Sequence, residues 1–116
     1  MAARPVLGDI ALAPAARTAS TSSGPIAAAG QATLAQLVVH CTAASGTTPT
    51  LDATLEESAD GSSWSTVTGS AITQLTAAGN RISAGLVTKN FVRVALTIGG
   101  TTPSFTCSAS VLFLPN

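Results

Sequence analysis

Apolar and polar residues alternate along much of this chain, as they do in β-strands that bury one face. In residues 104–113, Phe105, Cys107 and Ala109 fall on one face, whereas serine and threonine residues occupy the other. Because successive side chains of a strand point to opposite sides of its sheet, this alternation predicts strands with one buried and one solvated face. The clearest segments are ATLAQLVVHC (residues 32–41), TLDATLEES (50–58), NFVRVALTI (90–98) and SFTCSASVLF (104–113).

Segments rich in glycine and small polar residues separate these strands. Residues 59–62 (ADGS) and 77–80 (AAGN) are typical of tight turns. Residues 99–103 (GGTTP) predict a hairpin loop between the last two strands. The sequence GTTP occurs at 46–49 and again at 100–103, which indicates one kind of surface hairpin loop used twice. Weaker strands are predicted in WSTVTG (64–69), ITQLT (72–76) and RISAGLV (81–87).

No segment of useful length has an apolar stripe with the helical period. About seven or eight short antiparallel strands separated by turns are typical of a β-sandwich or a small barrel. The sequence therefore predicts an all-β protein with a single β-sandwich or jelly-roll-like domain in residues 32–116. The strand topology stays open at this point.

Residues 1–31 differ from the rest, because they are rich in alanine, serine, threonine and proline and show no sustained period. Ordering each residue costs about 1–2 kcal/mol, and a buried large apolar side chain contributes only about 1.5–3 kcal/mol. We therefore predict an extended N-terminal arm that a neighbouring subunit holds in place. Its predicted partner-binding residues are Val6, Leu7, Ile10 and Leu12.

The composition favours assembly over electrostatic recognition. Charged residues make up 9% of the chain, against roughly 25% in an average soluble domain, and the formal net charge is zero. A chain with so little charge lacks the basic footprint of a nucleic-acid-binding protein and is expected to associate with other protein surfaces. We predict no nucleic acid, membrane or small-molecule substrate as a partner.

The N-terminus and the cysteines leave alternatives open. The sequence MAARPVLGDIALAPAA imitates a signal peptide, but Pro5 and Asp9 interrupt its apolar stretch, so secretion is the less favoured interpretation. Cys41 and Cys107 form no metal-binding motif. Two buried free thiols are the simpler interpretation, and a disulfide requires a fold that brings the two together.

Residue patterns typical of catalysis are missing from the sequence. His40 is the single histidine, no serine lies in a G-x-S-x-G elbow, and tyrosine is absent. We predict no enzyme and no cofactor. Four acidic residues cluster without the spacing of a calcium loop, so we predict no metal site: Asp52, Glu56, Glu57 and Asp60. Trp64 is expected to cap the core, with a sugar-stacking platform as the alternative.

Two stretches together resemble small virion proteins of tailed bacteriophages. They are LDATLEESADGSSWSTVTG (51–69), with its S-x-D-G-x-x-W turn and strand, and FVRVALTIGGTTPSFTCSASVLF (91–113), with its Φ-V-R-V strand and Gly-Thr-Pro segment. The resemblance spans about residues 50–114. It implies a head decoration (cement) protein, β-rich and often trimeric, located in the virion, whose partners are the major capsid protein and copies of itself.

Three alternatives remain beside this interpretation. A tail-tube or tail-tip protein is the nearest, and it would form rings or tubes. A carbohydrate-binding module would expose Trp64. A secreted surface domain would be cleaved near Ala16 and could carry a Cys41–Cys107 disulfide.

Overall fold

The computed structural model describes residues 7–28 and 33–114, and of residues 7–9 it describes the backbone alone. These residues form one antiparallel sheet of seven strands and contain no helix, so the predicted all-β fold class is confirmed. No described segment therefore qualifies as a membrane-spanning helix. The strands are β1 (Leu7–Arg17), β2 (Thr21–Ser22), β3 (Ile26–Ala27), β4 (Thr33–Ser58), β5 (Ser65–Thr66), β6 (Gly79–Val87) and β7 (Phe91–Phe113).

Two long strands, β4 and β7, form the backbone of the sheet. They pair antiparallel along their whole length, from Ala35 opposite Phe113 to Ser58 opposite Phe91. A straight strand of 26 residues, the length of β4, would measure about 85 Å. The longest dimension of the molecule is only 51 Å. The strand pair must therefore bend sharply.

The bend lies at the repeated GTTP sequence, whose two copies face each other across β4 and β7. Thr47 pairs with Thr101, and the register shifts on either side of this pair. Both glycines have a φ of 111°, in the region that side chains disfavour. A Cβ at Gly46 would lie 2.6 Å from the carbonyl oxygen of Thr102, and one at Gly100 would lie 2.7 Å from that of Thr48. The repeat therefore builds one corner with local two-fold symmetry.

The corner folds the sheet into two layers. Val87 pairs with Thr33 at one end of β4, whereas Phe91 pairs with Ser58 at the other end. Only residues 88–90 join Val87 to Phe91, and such a link spans at most about 15 Å. The two ends of the sheet must therefore lie face to face. Layer A contains β1, β6 and residues 33–45 and 104–113; layer B contains β2, β3, β5 and residues 50–58 and 91–99.

An irregular segment, residues 67–75, completes the edge of layer B beside β4. The amide of Val67 donates to the carbonyl of Leu55 (2.9 Å), and Leu51 and Leu75 exchange both backbone hydrogen bonds. This segment also touches layer A, because a Cβ at Gly85 of β6 would lie 2.6 Å from Cγ1 of Val67. Gly85 is thus required for the close approach of the two layers.

The core lies between the layers and comes from the inward residues of both long strands. Leu37 and Val39 of layer A and Leu55 and Val94 of layer B are fully buried. Phe105, also fully buried, lies close to the corner. The alternation seen in the sequence thus marks the buried face correctly in both layers.

Two sequence predictions were wrong in the same way. Residues 99–103 do not form a hairpin loop, and β7 continues through them as one strand that pairs with β4 instead of with itself. Residues 46–49 likewise lie within β4. Alternation is a local signal, and it does not distinguish two strands joined by a hairpin from one strand with a bend.

The described part of the predicted arm lies on the sheet of its own chain. β1, β2 and β3 follow β7 from Phe113 back to Phe91, so residues 7–28 form an edge of both layers. Backbone hydrogen bonds hold them there, which is why a balance of apolar side chains alone underestimated their order. The predicted boundary between residues 31 and 32 lies outside the described residues and stays a prediction.

Candidate docking face

The large apolar side chains that are most exposed among the described residues all belong to one surface. Ile10 is 66% exposed, Ile82 63%, Leu86 52% and Leu34 40%. They lie on β1, β6 and β4, three strands of layer A, and point away from the core. The outer face of layer A, named here the docking face, therefore carries an apolar cluster on β1, β4 and β6, beside the outward serine and threonine residues of β7.

Strand register brings these residues together. Ile10 pairs with Ser110, Ser110 with Val38 and Val38 with Ile82, so these four form one row across all four strands of the layer. Leu34 pairs with Leu86 in another row of the same face, four residues away along β4. The row between them contains Leu112, Gln36 and Ala84.

The size of the docking face indicates what it can bind. Five residue positions along each of four strands give a footprint of about 300 Å². A stable protein interface buries about 800 Å² on each partner. One copy of this face would therefore bind weakly, and tight binding would require several copies or an additional contact surface.

The docking face also lacks charge. None of the outward side chains described in the β4, β6 and β7 parts of layer A is charged. Its polar groups at the edge are His40 and Asn80, which hydrogen-bond each other through Nδ1 and Oδ1. The single histidine therefore interacts with an amide at the rim of this face.

The outer face of layer B is polar, and it carries an ion pair and several hydrogen bonds between side chains. Arg93 Nε donates to Glu56 Oε1 at 2.8 Å, and its guanidinium carbon lies 4.4 Å from the centroid of the Trp64 ring. Gln74 Nε2 donates to Asp52 Oδ2 at 2.9 Å. Asp52 and Glu56 thus both lie on the outward side of β4.

Trp64 does not belong to the core. It is half-buried on the outer face of layer B, and Arg93 covers one side of its ring. A shallow cavity of about 250 Å³ on this layer is lined mainly by threonine and alanine side chains, with Asp52 at its rim. Trp64 is not among the residues that line it, so the cavity lacks an aromatic platform for a sugar ring.

The remaining acidic residues have separate roles. Glu57 accepts a hydrogen bond from the Thr88 amide at 2.8 Å. Asp60 accepts from the amides of Ser63 and Ser62 and from the Ser58 hydroxyl, which lowers the pKa of its carboxyl from 3.8 to about 2. These interactions close the predicted turn at residues 59–62, where Gly61 has a positive φ. Among the described residues, no three potential metal ligands come together.

The predicted arm residues separate into different environments. Ile10 lies on the docking face, as described above. Leu12 is only 9% exposed and packs in the core of its own chain, because a bulge between Ile10 and Leu12 turns it inward. Leu12 is therefore not part of the docking face. The backbone of Leu7 pairs with Phe113, and its side chain and Val6 lie outside the described residues.

Sequence reasoning missed most of this face. The outward set Leu34, Gln36 and Val38 was visible from the alternation, but both faces of that strand were apolar, and nothing marked which one was open. Ile82 and Leu86 lay in a strand predicted only weakly. The sequence does contain one signal of an open apolar face. The outward residues of 34–38 are mostly apolar, whereas two of the three outward residues of 52–56 are charged.

No protein-family model and no curated protein matches this sequence. Among solved structures, the fold is similar to PBSX exported protein XepA, with a TM-score of 0.69 and 15% identity over 95% of this chain and 37% of that chain. It is also similar to SPBc2 prophage-derived protein YomS, with a TM-score of 0.54 and 11% identity over 97% of this chain and 98% of that chain.

A chain in the structure of infectious bursal disease virus, Gx strain, shares the fold as well. Its TM-score is 0.59 and its identity 14%, over 95% of this chain and 33% of that chain. The present chain thus spans about a third of the length of XepA and of the viral chain. At such low identity the likeness establishes a common fold, a two-layer β-structure found in prophage-derived and viral proteins.

Proposed function

We propose that this chain is a structural, non-enzymatic protein of a bacteriophage particle, and specifically a capsid decoration (cement) protein that attaches through its docking face. The single observation that carries the proposal is the cluster of exposed apolar side chains on the outer face of layer A, whose described outward positions on β4, β6 and β7 carry no charge. Similar folds in a prophage-derived protein and in a virus structure support the same assignment, as does the resemblance of residues 50–114 to small virion proteins.

The chemistry of the docking face defines its partner. A charge placed against Ile82 or Leu86 would lose its water without gaining a counter-ion, which is costly. The partner must therefore present an apolar, uncharged patch, and we propose that a major capsid subunit supplies it. The proposed location is the virion, assembled in the host cytoplasm.

Tight attachment to the capsid requires many copies of this chain. Because one face of about 300 Å² binds weakly, the proposed particle uses many copies, associated with one another as well as with the capsid. Each bound copy stabilises the assembled shell by mass action, since it binds the shell and not its separated subunits. A trimer of this chain, as the resemblance implies, would present three docking faces at once.

Two alternatives make different predictions. A tail-tube or tail-tip protein would use the same apolar face for contacts between copies in a ring. A carbohydrate-binding module would use the Trp64 side of layer B, but Arg93 covers one face of this ring. The docking face therefore favours a protein partner over a sugar.

The experiment is a count of copies in purified particles. Particles from the strain that encodes the chain are analysed by quantitative mass spectrometry against the major capsid protein. A ratio near one supports decoration. A handful of copies would contradict it in favour of the tail tip, an intermediate number would favour the tail tube, and absence from the particle would refute the proposed function.

A further inference from the structure

The two cysteines of the chain face each other across the strand pair. Cys41 of β4 pairs directly with Cys107 of β7. Both belong to the core side of layer A, with 2% and 3% of their surface exposed, and both are free thiols. The next residue, Thr42, is left unpaired by a register shift, so the pair lies at the start of the corner.

The hydrogen-bond register puts this pair in the closer of the two antiparallel arrangements. The amide of Leu114 donates to the carbonyl of Leu34 at 2.9 Å, so even-numbered residues of β4 bond to β7 here. Cys41 is odd-numbered, and no shift separates it from Leu34. It therefore occupies a non-hydrogen-bonded pair, in which the Cα atoms are about 4.5 Å apart. Disulfides accept Cα separations of about 4.4–6.8 Å.

We propose that Cys41 and Cys107 are an oxidation site that forms a cross-strand disulfide and locks β4 to β7 beside the corner. The bond requires little backbone movement, because both side chains already point to the same side of the sheet. In the reduced chain the Cys41 thiol donates a weak hydrogen bond to the Ala43 carbonyl (3.3 Å), which is the main interaction given up. This inference does not depend on the proposed function.

A cavity on the outer side of layer A borders Cys107. A cavity of about 140 Å³ opens between β1 and the strand pair, and its lining includes Cys107, Pro14 and His40. The register of β1 shifts between Leu12 and Ala15, and the bulge at Pro14 moves this strand aside. Cys41 does not line this cavity. The other lining residues of the strand pair point outward, so Cys107 borders this cavity while its thiol lies on the core side of the sheet.

Arg17 at the end of β1 adds to the reactivity of Cys107. Its Nε is buried and has no hydrogen-bond partner among the described residues, so a thiolate beside it would supply the missing acceptor. Burial and the neighbouring Cys41 raise the pKa of the Cys107 thiol, and the charge of Arg17 and a side-chain hydrogen bond from it oppose this rise. Burial also raises the pKa of the Cys41 thiol. Oxidation should therefore accelerate with rising pH, because the thiolate is the attacking species.

The reaction balances with a small disulfide, such as oxidised glutathione, as the oxidant. The Cys107 thiolate attacks one sulfur of glutathione disulfide and releases one glutathione thiolate. The Cys41 thiolate then attacks the Cys107 sulfur of this mixed disulfide and releases the second. The two protons lost by the cysteines are taken up by the two glutathione thiolates, so the protein is oxidised by two electrons and the glutathione is reduced by two.

The test is to incubate the purified full chain with oxidised glutathione and to follow its mass and melting temperature. We expect the intact mass to fall by two hydrogen atoms, and a non-reducing tryptic digest to join residues 18–81 to residues 94–116. The loop closed by the bond is long, so the melting temperature should rise by about 10 °C or more and return on reduction. The rate should increase several-fold between about pH 7 and pH 9.

Single variants distinguish the order of the steps. Cys41→Ala should accumulate a glutathione adduct at Cys107 and gain no thermal stability from oxidation. Cys107→Ala should form an adduct more slowly, because Arg17 favours the thiolate of Cys107 and not that of Cys41. Equal rates of adduct formation in the two variants would contradict the assignment of Cys107 as the attacking thiol.

A refolding experiment tests the geometry of the cysteine pair independently of how easily an oxidant reaches the buried thiols. The denatured chain is refolded in a glutathione redox buffer, in which both thiols are reachable before the core closes. We expect the monomer with the internal disulfide as the main product. If the refolded monomer keeps two free thiols, or carries two glutathione adducts, the geometry does not support the bond and the proposal is wrong.

Discussion

The two outer faces of this sandwich come from the same two strands, yet their chemistry is opposite. β4 contributes Leu34, Gln36 and Val38 to the outside of layer A, and its other half contributes Asp52, Thr54 and Glu56 to the outside of layer B. The inward residues of both halves are equally apolar. The difference therefore lies wholly in the outward positions, which do not contribute to the shared core.

The side chains on the outer face of layer B interact with one another. On layer B, Glu56 is neutralised by Arg93, and Asp52 accepts from Gln74, so the surface is satisfied by its own residues and by water. On the outer face of layer A, the isoleucine and leucine side chains remain exposed to water. The comparison supports layer A as the proposed assembly surface, and the predictions below test this asymmetry.

The largest effect is expected at the corner that separates the two faces. Gly46→Ala introduces a side chain at φ 111° and brings its Cβ within 2.6 Å of the Thr102 carbonyl oxygen. We expect a loss of about 2–4 kcal/mol in the free energy of unfolding, measured by chemical denaturation. Gly24→Ala is the matched control, because a Cβ there meets nothing within 4 Å. If the two variants are equally stable, the proposed requirement for glycine at position 46 of the corner is wrong.

The second prediction concerns self-association of the free chain. Ile82→Lys combined with Leu86→Lys places two like charges on the docking face, and we expect self-association to weaken about tenfold or more. Thr66→Lys combined with Thr97→Lys, two exposed positions of layer B, is the control for added charge. Sedimentation velocity over a concentration series measures both. If the layer B variant loses more self-association than the layer A variant, layer B is the association surface.

The third prediction tests the internal pairing of layer B. Arg93→Ala removes the ion pair with Glu56 and the stacking on Trp64, and we expect a loss of about 1 kcal/mol in the free energy of unfolding. Lys89→Ala is the control, since its amine bonds only the exposed Ser65 hydroxyl at 3.2 Å. Association through layer A should stay unchanged in both. Loss of association in Arg93→Ala would place the assembly surface on layer B.

The smallest effect is a pH dependence at the layer B turn. The folded pKa of Asp60 lies below its ordinary value of 3.8, so its carboxylate favours the folded state above about pH 4, and this contribution disappears as the pH falls towards 2. We expect the stability difference between the wild type and Asp60→Asn to shrink over this range in thermal melts. A difference that does not change with pH would show that the carboxylate charge does not hold the turn.

The buried face of each long strand could be predicted from the sequence, because alternation of residues such as Leu37 and Val39 directly reports burial. The corner could not be predicted, since the GTTP sequence alone is typical of a hairpin turn. It forms a bend here because its second copy lies opposite it on the neighbouring strand. Ordering of residues 7–28 was also missed, because it depends on backbone hydrogen bonds to β7 that leave no periodic signal in an alanine-rich and proline-containing segment.

The docking face was only partly predictable for a related reason. The sequence predicts Ile10 as a partner-binding residue, and the structure shows that it is exposed. Its neighbours Ile82 and Leu86 are distant in sequence and reach it only through the register of four strands. Leu12, two residues away from Ile10, was assigned the same role, and the bulge at Ala11 reversed its direction. Residues on opposite sides of a bulge exchange faces, and no composition rule reveals the bulge.

The most direct test of the docking face is co-sedimentation with particles assembled without this chain. Purified wild-type chain, Ile82→Lys and Thr97→Lys are each mixed with such particles, and the bound fraction is measured over a range of concentrations. We expect Thr97→Lys to bind as the wild type does and Ile82→Lys to bind at least tenfold more weakly. If Ile82→Lys binds normally, or Thr97→Lys alone fails to bind, the outer face of layer A is not the surface that attaches this protein to the particle.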